Sequence, residues 1–412
     1  MRDVAAEVVV VGAGPAGLAA ASAASRYTHV TIVDDNPKVG GQIWRVELGK
    51  NRSPHAKQFI ESLDAGNITL LNNAAVFSID GERKLSVNCP DGTIEIGWEK
   101  LIIATGARER FLPFPGWTLP NVMGAGGLQA MVKGGLKVSG KRVVVAGTGP
   151  LLIAVAEYLK RKGAVIAAIA EQAAASKVNR FGFGLIASPS KLKQAIALKA
   201  KLLGVRYMTD CWVTSANGDG RLESVTLTRR GKTWSVDCDF LACGYHLVPN
   251  LELAMMLGCN IADGSVAVDE LQDTSIENVY CAGEPTGIAG VDSAVVEGTI
   301  AGLAATGEIG AARKLFAKRD KARRFGEAMN RAFELRDELR SLARDETIVC
   351  RCEDVEYGRL TEFDNFREAK LQTRCGMGPC QGRVCGAATE FLFGWERPIV
   401  RPPIFPVKIG DL

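Results

Sequence analysis

Histidine is almost missing from this chain: His29, His55 and His246 are the only three in 412 residues. His29 opens a β-branched run, His55 lies in a polar stretch and His246 follows an apolar run, so each reads as structural. No Ser–His–Asp spacing and no close pair of acids stands out, and catalytic residues stay unknown at this stage. A dominant charge is lacking as well. Fifty Lys and Arg face 46 Asp and Glu, a net +4, too little to imply nucleic acid. The basic run at residues 314–324 includes an acid and reads as a solvated helical face. Long apolar runs are also lacking. Residues 8–25 carry no charge, but three glycines and a proline interrupt them, which argues against a membrane span and a secretory signal.

What remains is an ordinary globular composition, 47% hydrophobic and 23% charged, with room for two to three domains. Residues 7–42 are its most informative stretch. Val8 to Val11 form a short β-branched run suited to a buried parallel strand. Gly12, Gly14 and Gly17 follow at GxGxxG spacing, and they separate three demands: a tight turn, room for a pyrophosphate, and close packing of helix on strand. Pro15 and Ala16 open that helix, whose free N–H groups favour phosphate. Residues 29–33 read as the next strand, with Asp34 at its end to accept from a ribose hydroxyl and Asp35 beside it. Gly40, Gly41 and Gln42 supply a second close approach of backbone.

Farther on, residues 51–73 read as a polar helix and a short strand, and residues 74–79 as another strand. Residues 84–88 and 93–96 form a hairpin, and residues 101–104 a separate buried strand ending in Thr105-Gly106. The proline-rich passage 111–120 marks a domain crossover. Residues 141–171 then repeat the opening βαβ pattern with Gly147, Gly149, Pro150 and Leu151 in the turn. Leu152 replaces the third glycine, which weakens the dinucleotide reading. NAD(P), ATP or ADP, and a purely structural role all stay open here, with Glu171 the ribose acceptor if NAD binds. Cys238 and Cys243 flank a buried strand and read as core thiols. A late strand with Gly283-Glu284 and a helix from Ser293 returns the chain to its first domain.

Two nested nucleotide-binding folds with a late glycine–acid step resemble the two-dinucleotide-domain flavoproteins of the glutathione-reductase and ferredoxin-reductase kind, over residues 5–305. The resemblance implies an α/β fold with two Rossmann-like domains and FAD in the first. It implies FAD contacts at Gly12, Gly14, Pro15, Ala16, Gly17, Asp34, Asp35, Gly41, Gln42, Ala104, Thr105, Gly106, Gly283 and Glu284, with a backbone contact near Val76. Glu284 stands where that family usually has Asp, and no CxxC lies beside Gly40-Gly41 or in the second domain, so a redox disulfide relay is not expected. The expected boundaries are 1–115 with 251–305 for the FAD domain, 116–250 for the second nucleotide domain and 306–346 for a helical connector. Residues 347–395 form a small C-terminal domain and 396–412 an extended tail.

Five of the eleven cysteines crowd into the last 63 residues: Cys350, Cys352, Cys375, Cys380 and Cys385. In a chain without a secretory signal, such crowding favours metal over disulfides. An iron–sulfur cluster suits thiolates on a glycine-rich loop, and zinc is the alternative. The CRCEDV…TRCGMGPCQGRVC pattern resembles the [2Fe–2S] module of the bacterioferritin-associated-ferredoxin type. That resemblance maps the ligands to Cys350, Cys352, Cys380 and Cys385 and leaves Cys375 as the spare, a Cys375/Cys380 pairing of equal gap staying open.

The motifs GAGPAGL, VGGQIW, VVVAGTGPLL, CAGEPTGIAGVDSA and CRCEDV…CGMGPCQGRVC together resemble the α subunit of hetero-oligomeric FAD-dependent amine dehydrogenases. Octopine and nopaline oxidases, D-hydroxyproline and proline dehydrogenase complexes and hydrogen cyanide synthase are of this kind. The resemblance implies a subunit for electron transfer. In such complexes a separate FAD-bearing β subunit of glycine-oxidase or D-amino-acid-oxidase type oxidises the C–N bond, often with a small γ subunit that is ferredoxin-like. The alternatives are a self-sufficient NAD(P)H-dependent ferredoxin reductase and a nucleotide-binding scaffold. A cytoplasmic location is expected, with peripheral attachment to a membrane through the electron acceptor left open.

Overall fold

The computed structural model describes residues 2–44, 54–64, 66–81, 83–396 and 399–411. The chain divides into two compact units, and both are α/β.

The first unit comprises Met1–Arg108, Pro249–Glu327 and Ile399–Leu412. Its centre is strand Arg2–Val11, whose valines from Val8 onward are buried because parallel strands lie on both sides. On one side come Val30–Asp34 and then Ile68–Asn72, both parallel. On the other runs Gly92–Ile103, a continuous strand. The hairpin arm and the buried strand expected separately are thus one element. The reason is its neighbours: its first half pairs antiparallel with Lys84–Cys89, its second half pairs parallel with Val279–Cys281, and Arg2–Val11 follows it along both. Of the expected polar helix, Pro54–Glu61 is helical, and residues 51–53 lie outside the described residues. Helix Pro15–Ala24 packs on helix Val291–Ala305 at very short range. A Cβ on Gly298 would stand 2.1 Å from the Ala16 carbonyl oxygen, and one on Gly302 would stand 2.2 Å from that of Ala20. These two glycines, four residues apart, form one bare stripe against which the alanine-rich first helix seats. In the tail, Ile404 is buried and donates its N–H to the Phe77 carbonyl.

The second unit comprises Glu109–Val248 and Ala328–Pro398. Its parallel sheet runs Tyr207–Met208, Val165–Glu171, Arg142–Thr148, Phe240–Tyr245 and Val122–Gly124. A three-stranded antiparallel sheet, Cys211–Asn217, Ser224–Arg229 and Lys232–Asp237, follows. Cys238 and Cys243 are buried free thiols. Residues 306–346, expected as a connector, are helical at Ile309–Arg313 and Phe316–Ala332, with a 3-10 turn at Asp337–Ser341, and are shared between the first unit, to Glu327, and the second, from Ala328. The cysteine-rich segment is built on helices Phe366–Thr373 and Cys385–Phe393. Tyr357 stacks on Phe393, and Phe393 on Trp395. No helix among the described residues is long and apolar enough to cross a membrane.

Candidate functional site

The three glycines of the opening turn meet different surroundings. Gly12 has φ +107°, and a Cβ there would stand 2.3 Å from the Ala104 carbonyl oxygen. On Gly17 it would stand 1.8 Å from the Gly12 carbonyl oxygen. On Gly14 it would meet no protein atom within 4 Å. Two positions are therefore filled by the fold itself and the third faces open space, as a pyrophosphate requires. Gly14 caps helix Pro15–Ala24 with no side chain over the helix start, which leaves its first N–H groups to a ligand. Gly40 donates to the Ala13 carbonyl at 2.8 Å, and a Cβ on Gly41 would come to 3.1 Å from Gly14 Cα. The two glycine clusters of the sequence thus join in one turn.

Asp34 is buried, and its carboxylate accepts from Ala13 N at 2.5 Å and Asn36 N at 2.8 Å. It braces the glycine turn, while Asp35 beside it is exposed. Gln42 is exposed, and Val76 and Ala104 are buried. Thr105 is held on both sides by Asn250: its hydroxyl donates to the Asn250 carbonyl and its own carbonyl accepts from Asn250 Nδ2, each at 2.8 Å. Asn250 also donates its N–H to the Gly106 carbonyl.

Gly283 is brought against the same helix, since a Cβ on it would stand 2.8 Å from Ala16 Cβ. Next to it Glu284 accepts from Gly290 N at 3.0 Å through Oε1, while Oε2 is buried without a partner. Burial lifts this carboxyl to about 7, against the pull of the Gly290 and Ala289 N–H groups. An unpartnered buried acceptor costs stability until a ligand donor satisfies it. Sequence reading missed Glu297. This buried acid accepts from Gly283 N, Thr286 Oγ1, Ser293 Oγ and Arg323 Nε, and so fixes the turn that carries Glu284. The sequence signal is a single acid inside the apolar run 294–305, and the structure shows it to be the lone charge among the 11 buried residues of helix Val291–Ala305.

In the second glycine motif the first and third positions are filled by the fold, as they are in the first motif. A Cβ on Gly147 would stand 1.9 Å from the Gly244 carbonyl oxygen, repeating the part of Gly12, and Leu152 is fully buried in the core where a third glycine would stand. Pro150 and Leu151 are exposed. Glu171 is fully buried. Its carboxylate accepts from Gly149 N at 2.7 Å, Ala173 N at 2.8 Å and Thr148 Oγ1 at 3.1 Å, and burial lifts it to about 7. The segment from Phe333 lies over it. The Phe333 carbonyl accepts from Thr148 Oγ1 at 2.9 Å and meets His246 Nε2 at 3.1 Å. Its ring packs edge-on against Phe181. Gln172 Nε2 donates to the Glu334 carbonyl, and Gln172 Oε1 accepts from Arg336 N. The Arg336 guanidinium lies 4.2 Å from the Trp212 ring centroid. None of this was legible in the motif.

The C-terminal cysteines converge. Cys350, Cys352, Cys380 and Cys385 line one cavity of about 200 Å³ together with Phe111, Trp117, Arg351 and Val384. Cys350, Cys375 and Cys385 have sulfurs within 4.8 Å of one another, so Cys375 is inside the group and not remote from it. Hydrogen bonds from Cys375 and Cys385 pull the Cys350 thiol far down, a bond from Cys385 lowers Cys380 to about 5, and Cys375 is raised to about 12. The same mutual hydrogen bonds push Cys385 well up, and Cys352 is raised as well, so the shifts reflect crowding of thiols, and it is the convergence of the sulfurs that suits thiolate ligation. Trp117 Nε1 donates to the Ile348 carbonyl at 2.6 Å, and Arg351 lies over its ring, which ties the cavity wall to the strand leading into Cys350.

Residues 6–298 match the model of a family described as pyridine nucleotide-disulphide oxidoreductase. The chain is 31% identical to the hydrogen cyanide synthase subunit HcnB of Pseudomonas aeruginosa, the match covering 98% of this chain and 97% of that protein. It is 30% identical to an opine oxidase subunit of Rhizobium meliloti, over 98% of this chain and 87% of that protein. The crystal structure of L-proline dehydrogenase from P. horikoshii has the same fold, with a TM-score of 0.72 at 21% identity, covering all of this chain and 80% of that one.

Proposed function

The chain belongs to the pyridine nucleotide-disulphide oxidoreductase family and is a flavoprotein oxidoreductase subunit homologous to HcnB and to the opine oxidase subunit of Rhizobium meliloti, and from that premise we propose that it is the electron-transferring subunit of a dehydrogenase that oxidises the C–N bond of an amino acid or opine. The observation that carries the proposal is the joining of two centres in one chain: an open Gly14 turn beside an unpartnered Glu284 Oε2, and four cysteines around one cavity. FAD supplies a two-electron acceptor and a [2Fe–2S] centre a one-electron carrier.

The residues fit both groups. Gly14 and the start of helix Pro15–Ala24 would hold the pyrophosphate, and Glu284 Oε2 would accept from a hydroxyl of the ribityl or ribose part. Cys350, Cys352, Cys380 and Cys385 would hold the cluster, with Phe111, Trp117 and Val384 limiting the access of water. With no substrate-handling constellation recognised in the chain, substrate oxidation is assigned to a partner flavoprotein of glycine-oxidase type. A small ferredoxin-like subunit would take part in passing the electrons on.

The NAD(P)H-dependent reductase reading fits less well. Glu171 is fully buried and engaged with protein donors, and the Phe333 segment covers the second glycine turn. The test is purification of the chain with its genomic neighbours, followed by flavin, iron and acid-labile sulfide analysis. Flavin together with iron and sulfide is expected. Flavin without iron would overturn the electron-relay role.

A further inference from the structure

One stretch of the second unit has no part in either centre. Between Glu171 and Asp210 the sequence contains seven Lys and Arg and no Asp or Glu. The stretch folds as two helices, Ala175–Gly184 and Pro189–Lys201, neither of which buries a residue in the core. Four of its large apolar side chains are exposed, Phe183 at 73%, Ile186 at 66%, Ile196 at 60% and Leu203 at 78%, while Leu202 and Met208 are buried. On the second helix Ile196 and Ala200 share a face flanked by Lys193 and Lys199, and Leu203 lies just past the helix end. Phe183 and Ile186 stand at the turn between the helices, just beyond Arg180. Acids from outside the stretch border it: Asp210 accepts from Ala175 N at 3.2 Å, Glu334 pairs with Lys177 at 3.5 Å and Glu157 with Lys201 at 3.2 Å.

We propose that this hairpin docks the protein on an anionic lipid surface, with Phe183 and Ile186 inserted at the headgroup boundary and the lysines on the phosphates. Exposed apolar residues alone would serve a protein interface equally well. The composition separates the two: lysine is depleted at the cores of protein interfaces, whereas a Lys/Arg face beside Phe and Leu characterises helices that lie in a membrane surface. The absence of acid between residues 172 and 209 fits an anionic surface in the same way, since only the bordering Glu157, Asp210 and Glu334 would be repelled.

The test is sedimentation of the full-length chain with vesicles of phosphatidylcholine containing phosphatidylglycerol, against phosphatidylcholine alone. Binding is expected only to the anionic vesicles, falling steeply with salt. Phe183→Ser with Ile186→Ser, and separately Lys191→Glu with Lys193→Glu, are each expected to weaken it roughly tenfold or more. Thermal unfolding and iron content equal to wild type show that these variants are folded, since the hairpin and the cysteine group lie in the same unit. Failure of the wild type to sediment overturns the proposal, as does equal sedimentation of the variants. Loss of a co-purified partner protein in the variants, with no vesicle binding by the wild type, reassigns the hairpin to a protein interface.

Discussion

Phe333 stands before the turn at Gly149: a Cβ on that glycine would come to 4.0 Å from Phe333 Cγ, an ordinary van der Waals contact. The ring is buried and its carbonyl accepts from Thr148, the residue before the glycine. In the first nucleotide fold the corresponding space at Gly14 is open. The two folds share a pattern and differ in what stands before it. Excess NADH is therefore expected to leave the flavin of the wild-type chain oxidised. Rapid bleaching of the flavin absorbance would show that the Phe333 segment yields to nucleotide. Phe333→Ala is expected to lower stability by about 3 kcal/mol, read by denaturant unfolding, since a buried ring is lost.

The glycine turn gives a paired prediction. Gly14→Val introduces a side chain into open space at φ −77°, so the apoprotein is expected to fold with a melting temperature near that of wild-type apoprotein and to lose FAD. Gly17→Ala drives a methyl group into the Gly12 carbonyl and is expected to cost about 3 kcal/mol or more. Flavin absorbance and thermal unfolding of both variants check this. Full flavin occupancy in Gly14→Val contradicts the assignment.

Cysteine replacement separates ligands from bystander. Cys380→Ser is expected to lose iron and sulfide, because that sulfur lines the cavity shared by Cys350, Cys352 and Cys385. Cys375→Ser is expected to retain both, although its sulfur lies among those of Cys350 and Cys385. Cys385→Ser is expected to lose both as well; retention by Cys385→Ser together with loss by Cys375→Ser would make Cys375 and Cys380 the ligand pair.

Two buried carboxyls set a pH dependence. Burial raises Glu284 and Glu171 from 4.5 to about 7. A raised carboxyl favours the folded state while protonated, so this contribution is complete below about pH 4.5 and is lost as pH climbs through about 7. Each group accounts for on the order of 3 kcal/mol across that window. Flavin-free protein is expected to melt at a lower temperature at about pH 8 than at about pH 5.5, and Glu284→Gln is expected to flatten part of the slope. An unchanged slope in that variant would remove Glu284 from the account.

The sequence by itself determined the elements whose constraint is local. A positive φ at Gly12, the close seat of Gly17, the β-branched run of Val8 to Val11 and the crowding of cysteines are each written in residue type and short spacing. The family resemblance followed from the same motifs. Tertiary structure decided what depends on distant partners. Asp34 turns inward to brace Ala13, Glu297 anchors the Gly283 turn, Cys375 joins the cysteine group, and Phe333 reaches Thr148 across 185 positions. The physical reason is that a periodic pattern reports which face of an element is buried but carries no trace of which remote segment covers it. At the second glycine motif the pattern therefore shows the turn but not the Phe333 segment that stands before it.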